Sequence, residues 1–177
     1  MTEHEIVEGC QKRDRKCQEE LYKRFAPKML GVCYRYAGGN LEEAEDILQE
    51  AFVKIFESIK NFRELGSLEG WVRRICVNTA INNFRKKKII IPLDAEIHDQ
   101  EISDSGFSRL QETDLLKLIN GIPEGYRMVF NLFAIEGYNH KEIAEMMHIE
   151  EASSRSQLAR ARKFLQELVN KSENIRA

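Results

Sequence analysis

The sequence predicts an all-α protein, two small helical domains joined by a flexible acidic linker, and three observations carry that prediction. Only three prolines and ten glycines interrupt 177 residues, so few positions resist helix. Apolar residues recur at three- and four-residue steps along most of the chain, the period of an amphipathic helix. From Ile89 to Gly106 that period lapses, and Pro92 stands among Asp94, Glu96, Asp99, Glu101 and Asp104 with no Lys or Arg. Such a composition buries too little apolar surface to fold alone. It divides the chain into a first domain, 1–88, a linker, 89–106, and a second domain, 107–177. At 42% apolar and 32% charged residues, there is material for cores and too much of it for a disordered chain.

Residues 1–88 read as helices. "EELYKRFAPKMLGVCYRYAGGN" sets Leu21, Phe25, Met29, Val32 and Tyr36 on one face. Pro27 should kink or restart that helix, since it lacks a backbone donor and clashes with the preceding turn. Gly38 or Gly39 then suits the left-handed cap, and Asn40 caps the next helix. That helix, "LEEAEDILQEAFVKIFESIKNF", crowds acidic residues into its first turn, as the helix dipole favours. Ala44, Ile47, Leu48, Ala51, Ile55 and Ile59 form its apolar face. Glu43, Asp46, Glu50 and Glu57 leave an acidic outer surface with Lys54 as its cation. A solvated face is the ordinary reading of such charge; a docking face for a basic or polar partner is the sharper one.

Ser67 is placed to cap a helix that ends near Lys88 and contains "WVRRICVNTAINNFRKKK". This stretch holds the only tryptophan and six cations without an acid, in a chain of formal net charge -2. On a helical wheel, Trp71, Arg74, Asn78, Asn82 and Arg85 line one polar stripe. Val72, Ile75, Cys76 and Thr79 form a buried strip beside it, and Val77, Ile81 and Phe84 a second apolar side. An aromatic ring, amides and guanidinium groups together suit single-stranded nucleic acid: bases stack, amides bind base edges, and cations hold the backbone. Arg85, Lys86, Lys87 and Lys88 would grip duplex phosphates. The plainer alternative packs Trp71 in a core and lets the basic end complement the helix dipole.

Ile89 to Ile91 are expected to pack back on the first domain. From Phe107 the chain parses into four helices. Pro123 suits a first helical position, Gly137 a C-terminal cap, and Asn139 with Glu142 a capping box. "NHKEIAEMMHIEEASSRSQLARARK" has the layout of a helix-turn-helix. Ile143, Ala144 and Met147 are the buried side of its first helix, and Ile149 plugs the turn. Leu158, Ala161, Leu165 and Leu168 back the second helix. Arg155, Ser156, Ala159, Arg160 and Lys163 lie opposite, and no acid occurs from Ala152 to Lys163. An apolar back, small residues for close approach, and Arg and Ser toward bases and phosphates are what a recognition helix needs. An ordinary amphipathic surface helix is the alternative.

Other classes find little support. Cys10, Cys17, Cys33 and Cys76 form no CxxC, and the histidines stand at no zinc-finger spacing from them. Reduced thiols of a cytoplasmic protein are expected, with no metal and no cofactor. The acidic N-terminus is no signal peptide, and no apolar run is long enough to insert in a membrane. There is no phosphate loop, HExxH or nucleophile elbow, so an enzyme is not expected.

Three of these segments, in this order, resemble the extracytoplasmic-function group of bacterial RNA polymerase sigma factors. "AEDILQEAFVKIF" is similar to the family's core-binding helix, and "WVRRICVNTAINNFRKKK" to the segment that reads and opens the minus-ten element. "IPEGYRMVFNLFAIEGYNHKEIAEMMHIEEASSRSQLARARKFLQ" is similar to the domain that binds the minus-thirty-five element. The likeness covers nearly everything from Cys17 to Val169. It implies that Asp46, Gln49 and Glu50, with Phe52 nearby, dock on the clamp helices of core RNA polymerase. It implies that Asn78 engages an extruded non-template base, flanked by Trp71, Arg74, Asn82 and Arg85 to Lys87. It implies that Arg155, Ser156 and Arg160 face the upstream major groove. Ala159 and Lys163 share their side of the helix, and Ser153 keeps a hydroxyl for capping or phosphate contact, which completes the expected minus-thirty-five surface. The implied partners are core polymerase, promoter DNA as duplex and as melted strand, and an anti-sigma factor. The linker is then expected to thread toward the RNA exit path. Two residues depart from the family pattern. Asn82 stands where Asp is frequent, and Ala152 stands where glycine would loosen the turn. The competing reading is a stand-alone helix-turn-helix regulator that occupies an operator, which leaves the acidic helix and the Trp–Asn stripe without a task.

Overall fold

The computed structural model describes residues 1–63, 65–88 and 112–176. Every element among them is helical. They are α1 (Glu3–Gln11), α2 (Arg15–Tyr36), α3 (Leu41–Ser58), α4 (Leu68–Lys88), α5 (Glu112–Asn120), α6 (Glu124–Phe130), α7 (His140–Met147) and α8 (Glu151–Arg176). A 3-10 turn, Ile59–Asn61, follows α3, and a π-helical turn, Asn131–Ile135, follows α6. The chain forms two compact units, Met1–Asn83 and Phe84–Ala177. The acidic linker, the expected packing of Ile89 to Ile91 and the start of the second part at Phe107 lie outside the described residues.

In the first unit, Thr2 and Glu5 close a capping box, and Ile6, Val7 and Cys10 bury the inner side of α1. Asp14 caps α2 by accepting from the Lys16 and Cys17 amides. The expected restart at Pro27 does not occur: α2 is one unbroken helix of 22 residues. An interior proline costs about 3 kcal/mol. Phe25, Ala26 and Met29 around it are all buried, and each large side chain returns about 1.5–3 kcal/mol on burial. Packing therefore outweighs the lost bond. Gly38 and Gly39 take φ of 63° and 85°, which end α2, and the Asn40 side chain accepts from the Glu43 amide at 3.1 Å to start α3. The whole predicted apolar face of α3 is buried, from Ala44 to Ile55 and on to Ile59. The Ser67 hydroxyl accepts from the Gly70 amide at 3.0 Å, so α4 begins where its cap sits. Val72, Cys76 and Thr79 on one side and Val77 and Ile81 on another are buried, so α4 is gripped from two sides.

In the second unit, Ile119, Ile122, Ala161 and Leu165 form a core with Leu115, Leu118, Tyr126 and Phe130 around it. Pro123 is the N-cap of α6 rather than its first helical residue, with ψ of 142°. Its missing N–H is harmless at either position, but the extended ψ starts α6 one residue later than expected. Buried Arg127 donates from Nη1 to the Ile122 carbonyl at 2.9 Å and so ties the α5–α6 connection. Gly137, at φ 80°, closes the π turn. Asn139 and Glu142 make the expected capping box on α7.

Candidate nucleic-acid interface

The Ser67 cap and the Phe62 ring fix the start of α4. Trp71 is half-buried, with its ring 5.3 Å from that of Phe62. Beside it a surface pocket of about 350 Å³ is lined by Phe62, Leu65, Ser67, Gly70, Trp71 and Arg74, among others. Leu65 on its rim is 91% exposed, a large apolar side chain offered to solvent. Arg74 and Asn82 are exposed and Asn78 is half-buried along the same helix. Arg85 is half-buried, and Lys86 and Lys87 are exposed. The stripe expected on the wheel thus lies on the open side of α4, with an apolar-walled pocket at its first turn.

On α3, Asp46 and Gln49 are exposed, and Val53, one turn after Gln49, is 56% exposed. Glu50 stands beside them but is tied inward, accepting from Lys54 Nζ at 2.7 Å and from Asn83 Nδ2 at 2.9 Å. Phe52 is buried, its ring edge-on to Tyr22 at 4.7 Å, so it shapes the helix from within.

The helix-turn-helix closes through His148, which takes the left-handed conformation at φ 54°, and the Ile149 amide donates to the Ala144 carbonyl at 3.0 Å. Ala152 is not in that turn. It lies in the first turn of α8, where ordinary helical angles suffice, so it gives up nothing that glycine would supply. Arg155 is exposed and ion-paired with Glu151. Ser153, Ser156, Ala159 and Lys163 are half-buried. Arg160 is half-buried as well: Nη1 donates to the Tyr126 hydroxyl at 3.3 Å, and its guanidinium lies 5.8 Å from that ring's centroid. It leans on α6 instead of standing clear of α8.

Several residues here escaped the sequence reading. Ser154 is fully buried, and its hydroxyl is 2.9 Å from His140 Nδ1, while His140 stacks on Phe133 at 4.7 Å. Burial first, then Arg155, lowers the His140 pKa from its ordinary value. Asn83, the neighbour of Asn82, faces α3 through its bond to Glu50. No spacing rule marks these pairs, because their partners come from other helices. Burial pushes the Cys10 thiol up to about 11. Cys33 and Cys76 are buried and share a hydrogen bond between α2 and α4, which raises Cys76. Among the described residues no group of three His, Cys, Asp or Glu could hold a metal ion, and no helix is long and apolar enough to cross a membrane.

The comparisons with known proteins converge on this arrangement. Residues 21–89 match the family model of Sigma-70 region 2, and residues 112–165 match that of Sigma-70, region 4. The ECF RNA polymerase sigma-E factor of Haemophilus influenzae is 29% identical over 180 residues, covering 94% of each chain. The ECF RNA polymerase sigma factor SigW of Bacillus subtilis is 29% identical, over 90% of this chain and 92% of its own. The RNA polymerase sigma-H factor of Pseudomonas aeruginosa is 28% identical, over 92% and 91%. The sigma factor RpoE of Bartonella quintana, solved in complex with the anti-sigma factor NepR, shares the fold at a TM-score of 0.53 and 20% identity, over 86% of this chain and 96% of its own. Two sigma-70 regions in order, together spanning well over half the sequence, and relatives matched nearly end to end place the chain in the sigma-70 family, as a promoter-recognising RNA polymerase sigma factor of the extracytoplasmic-function type.

Proposed function

We propose that the chain divides this work among three helices. The exposed side of α3, with Asp46, Gln49 and Glu50, docks on core RNA polymerase, with Phe52 holding the helix in shape from beneath. The open side of α4, with Trp71, Arg74, Asn78 and Asn82, reads the minus-ten element as a melted strand, and Arg85, Lys86 and Lys87 hold its backbone. On α8, Ser153, Arg155, Ser156, Ala159, Arg160 and Lys163 face the minus-thirty-five element as duplex. The functional spans are 1–88 and 107–177, with 89–106 between them. The protein acts in the cytoplasm as a specificity subunit without catalysis of its own, and an anti-sigma factor restrains it.

The pocket beside Trp71 carries this reading furthest. A base pulled from the duplex loses a few kcal/mol of stacking and pairing. An aromatic wall, an apolar rim at Leu65 and a guanidinium at Arg74 can offset that loss, since stacking on a ring contributes about 1–3 kcal/mol per base. A plain operator-binding regulator needs no such pocket. Reconstitution with core polymerase tests the reading: the chain should bind core tightly and direct initiation from one promoter class. Binding to DNA without binding to core would refute it.

A further inference from the structure

Both oxygens of the Glu50 carboxylate are engaged by groups that lead to α4. Oε2 accepts from Asn83 Nδ2 at 2.9 Å. Oε1 accepts from Lys54 Nζ at 2.7 Å, and the same ammonium lies 3.4 Å from Thr79 Oγ1. Thr79 is 1% exposed, so its hydroxyl is held inside the unit. Thr79 and Asn83 are four residues apart, hence one turn apart on a single face of α4. Asn78 and Asn82 directly precede them, each turned about 100° round the helix. Any rotation of α4 that breaks the contacts at Thr79 and Asn83 must swing Asn78 and Asn82 by the same angle.

We propose that Asn83 is a positioning residue, which through Glu50 and Lys54 sets the rotation of α4 and links polymerase docking on α3 to base reading by α4. The inference rests on the docking and reading roles proposed above. Its physical basis is that one carboxylate serves two helices. Glu50 stands one turn from Asp46 on the docking stripe, and it remains partly exposed while holding Asn83. A hydrogen bond to an ionised acceptor is about twice as strong as a neutral one and directional, so it fixes an angle as well as a distance. A partner that engages the acidic stripe therefore acts on the reading helix through the same group.

The test uses the full chain with core polymerase in saturating excess and follows opening of a duplex promoter by permanganate reactivity at the minus-ten thymines. Asn83→Asp sets a second carboxylate against Glu50 and should lower opening about tenfold, with binding to the upstream duplex element retained. Asn83→Gln keeps an amide donor on the same face of α4. It should hold opening to within about twofold of the parent, as rescue by the conservative variant. Asn83→Leu, similar in size but without a donor, should reproduce the loss if Asn83→Asp fails to fold. Unchanged opening in the folded single variant overturns the proposal. So does an Asn83→Leu chain whose melting temperature falls while its opening of DNA stays at the parent's level, as a purely structural tie would allow. A parent chain that never binds core sinks the proposed function and this inference with it, a result distinct from either failure at Asn83.

Discussion

α4 and α8 are both basic helices with one polar side, yet they are mounted differently. α4 is buried on two sides, by Val72, Cys76 and Thr79 and by Val77 and Ile81, and it is tied to α3 at Asn83. α8 is buried along one line, Leu158, Ala161, Leu165 and Val169. Its cations rest on neighbours: Arg155 on Glu151, Arg160 on Tyr126 and Arg162 over Phe133. The difference fits the two DNA targets proposed for these helices. A duplex major groove, about 12 Å wide, admits a helix held only from behind, and arginines suffice to read it. A melted strand offers no groove. The protein must supply the walls itself, and the helix that carries them must not turn.

Removing a wall should break that contrast most sharply. Trp71→Ala takes away one side of the pocket, and promoter opening should fall about thirtyfold, from the stacking lost per base. Trp71→Phe keeps a ring against Phe62 and should retain most of the activity. Asn78→Ala should act in the same direction, on opening more than on core binding. Footprinting of the melted strand beside a core-binding assay separates the two, and equal losses in both would refute a base-reading role for α4.

On α8 the expected effect is smaller and of another kind. Arg155 is exposed, with its ion pair at the surface, so it is free to exchange Glu151 for a phosphate at little cost. Arg155→Ala should weaken binding to all sequences alike and reduce the salt dependence by about 0.9 in the log–log slope. Titration of the upstream duplex at several salt concentrations measures this. A change in preferred sequence with an unchanged slope would instead make Arg155 a base reader.

The sequence disclosed what depends on one helix at a time. The apolar face of α3 is buried as spaced, and Asn40, Ser67 and Asn139 all cap as placed. The restart expected at Pro27 failed because local propensity was judged without the packing around Phe25 and Met29. Arg160 marks the same limit of one-helix reasoning. A wheel shows that it points away from Leu158, but not that Tyr126 of α6 stands there. Glu50 and Asn83 are 33 positions apart, and Asn83 differs from Asn78 and Asn82 only in what another helix brings to it. The left-handed turn falls on His148, a residue with no strong claim to that conformation beside glycine.

The smallest effect concerns the support behind α8. His140 and Ser154 join α7 to the first turn of α8, and Phe133 covers the imidazole. Burial, aided by Arg155 and Arg162 and opposed by Glu151, lowers the His140 pKa from 6.5 in the folded chain. As pH falls, the unfolded chain therefore takes up this proton first, and stability drops. The contribution is full above 6.5, is lost as pH falls from there to the folded value, and changes no further below it. The carboxylates that gain lysine partners, such as Glu8 with Lys12 and Glu19 with Lys23, add their own loss at lower pH. His140→Gln removes the titration and leaves an amide for Ser154. Thermal melts of parent and variant at about pH 7.5 and about pH 5.5, across the range where histidine titrates, isolate the imidazole. The parent should lose more stability than the variant between the two conditions, and an identical loss would show that the His140–Ser154 contact does not sense pH.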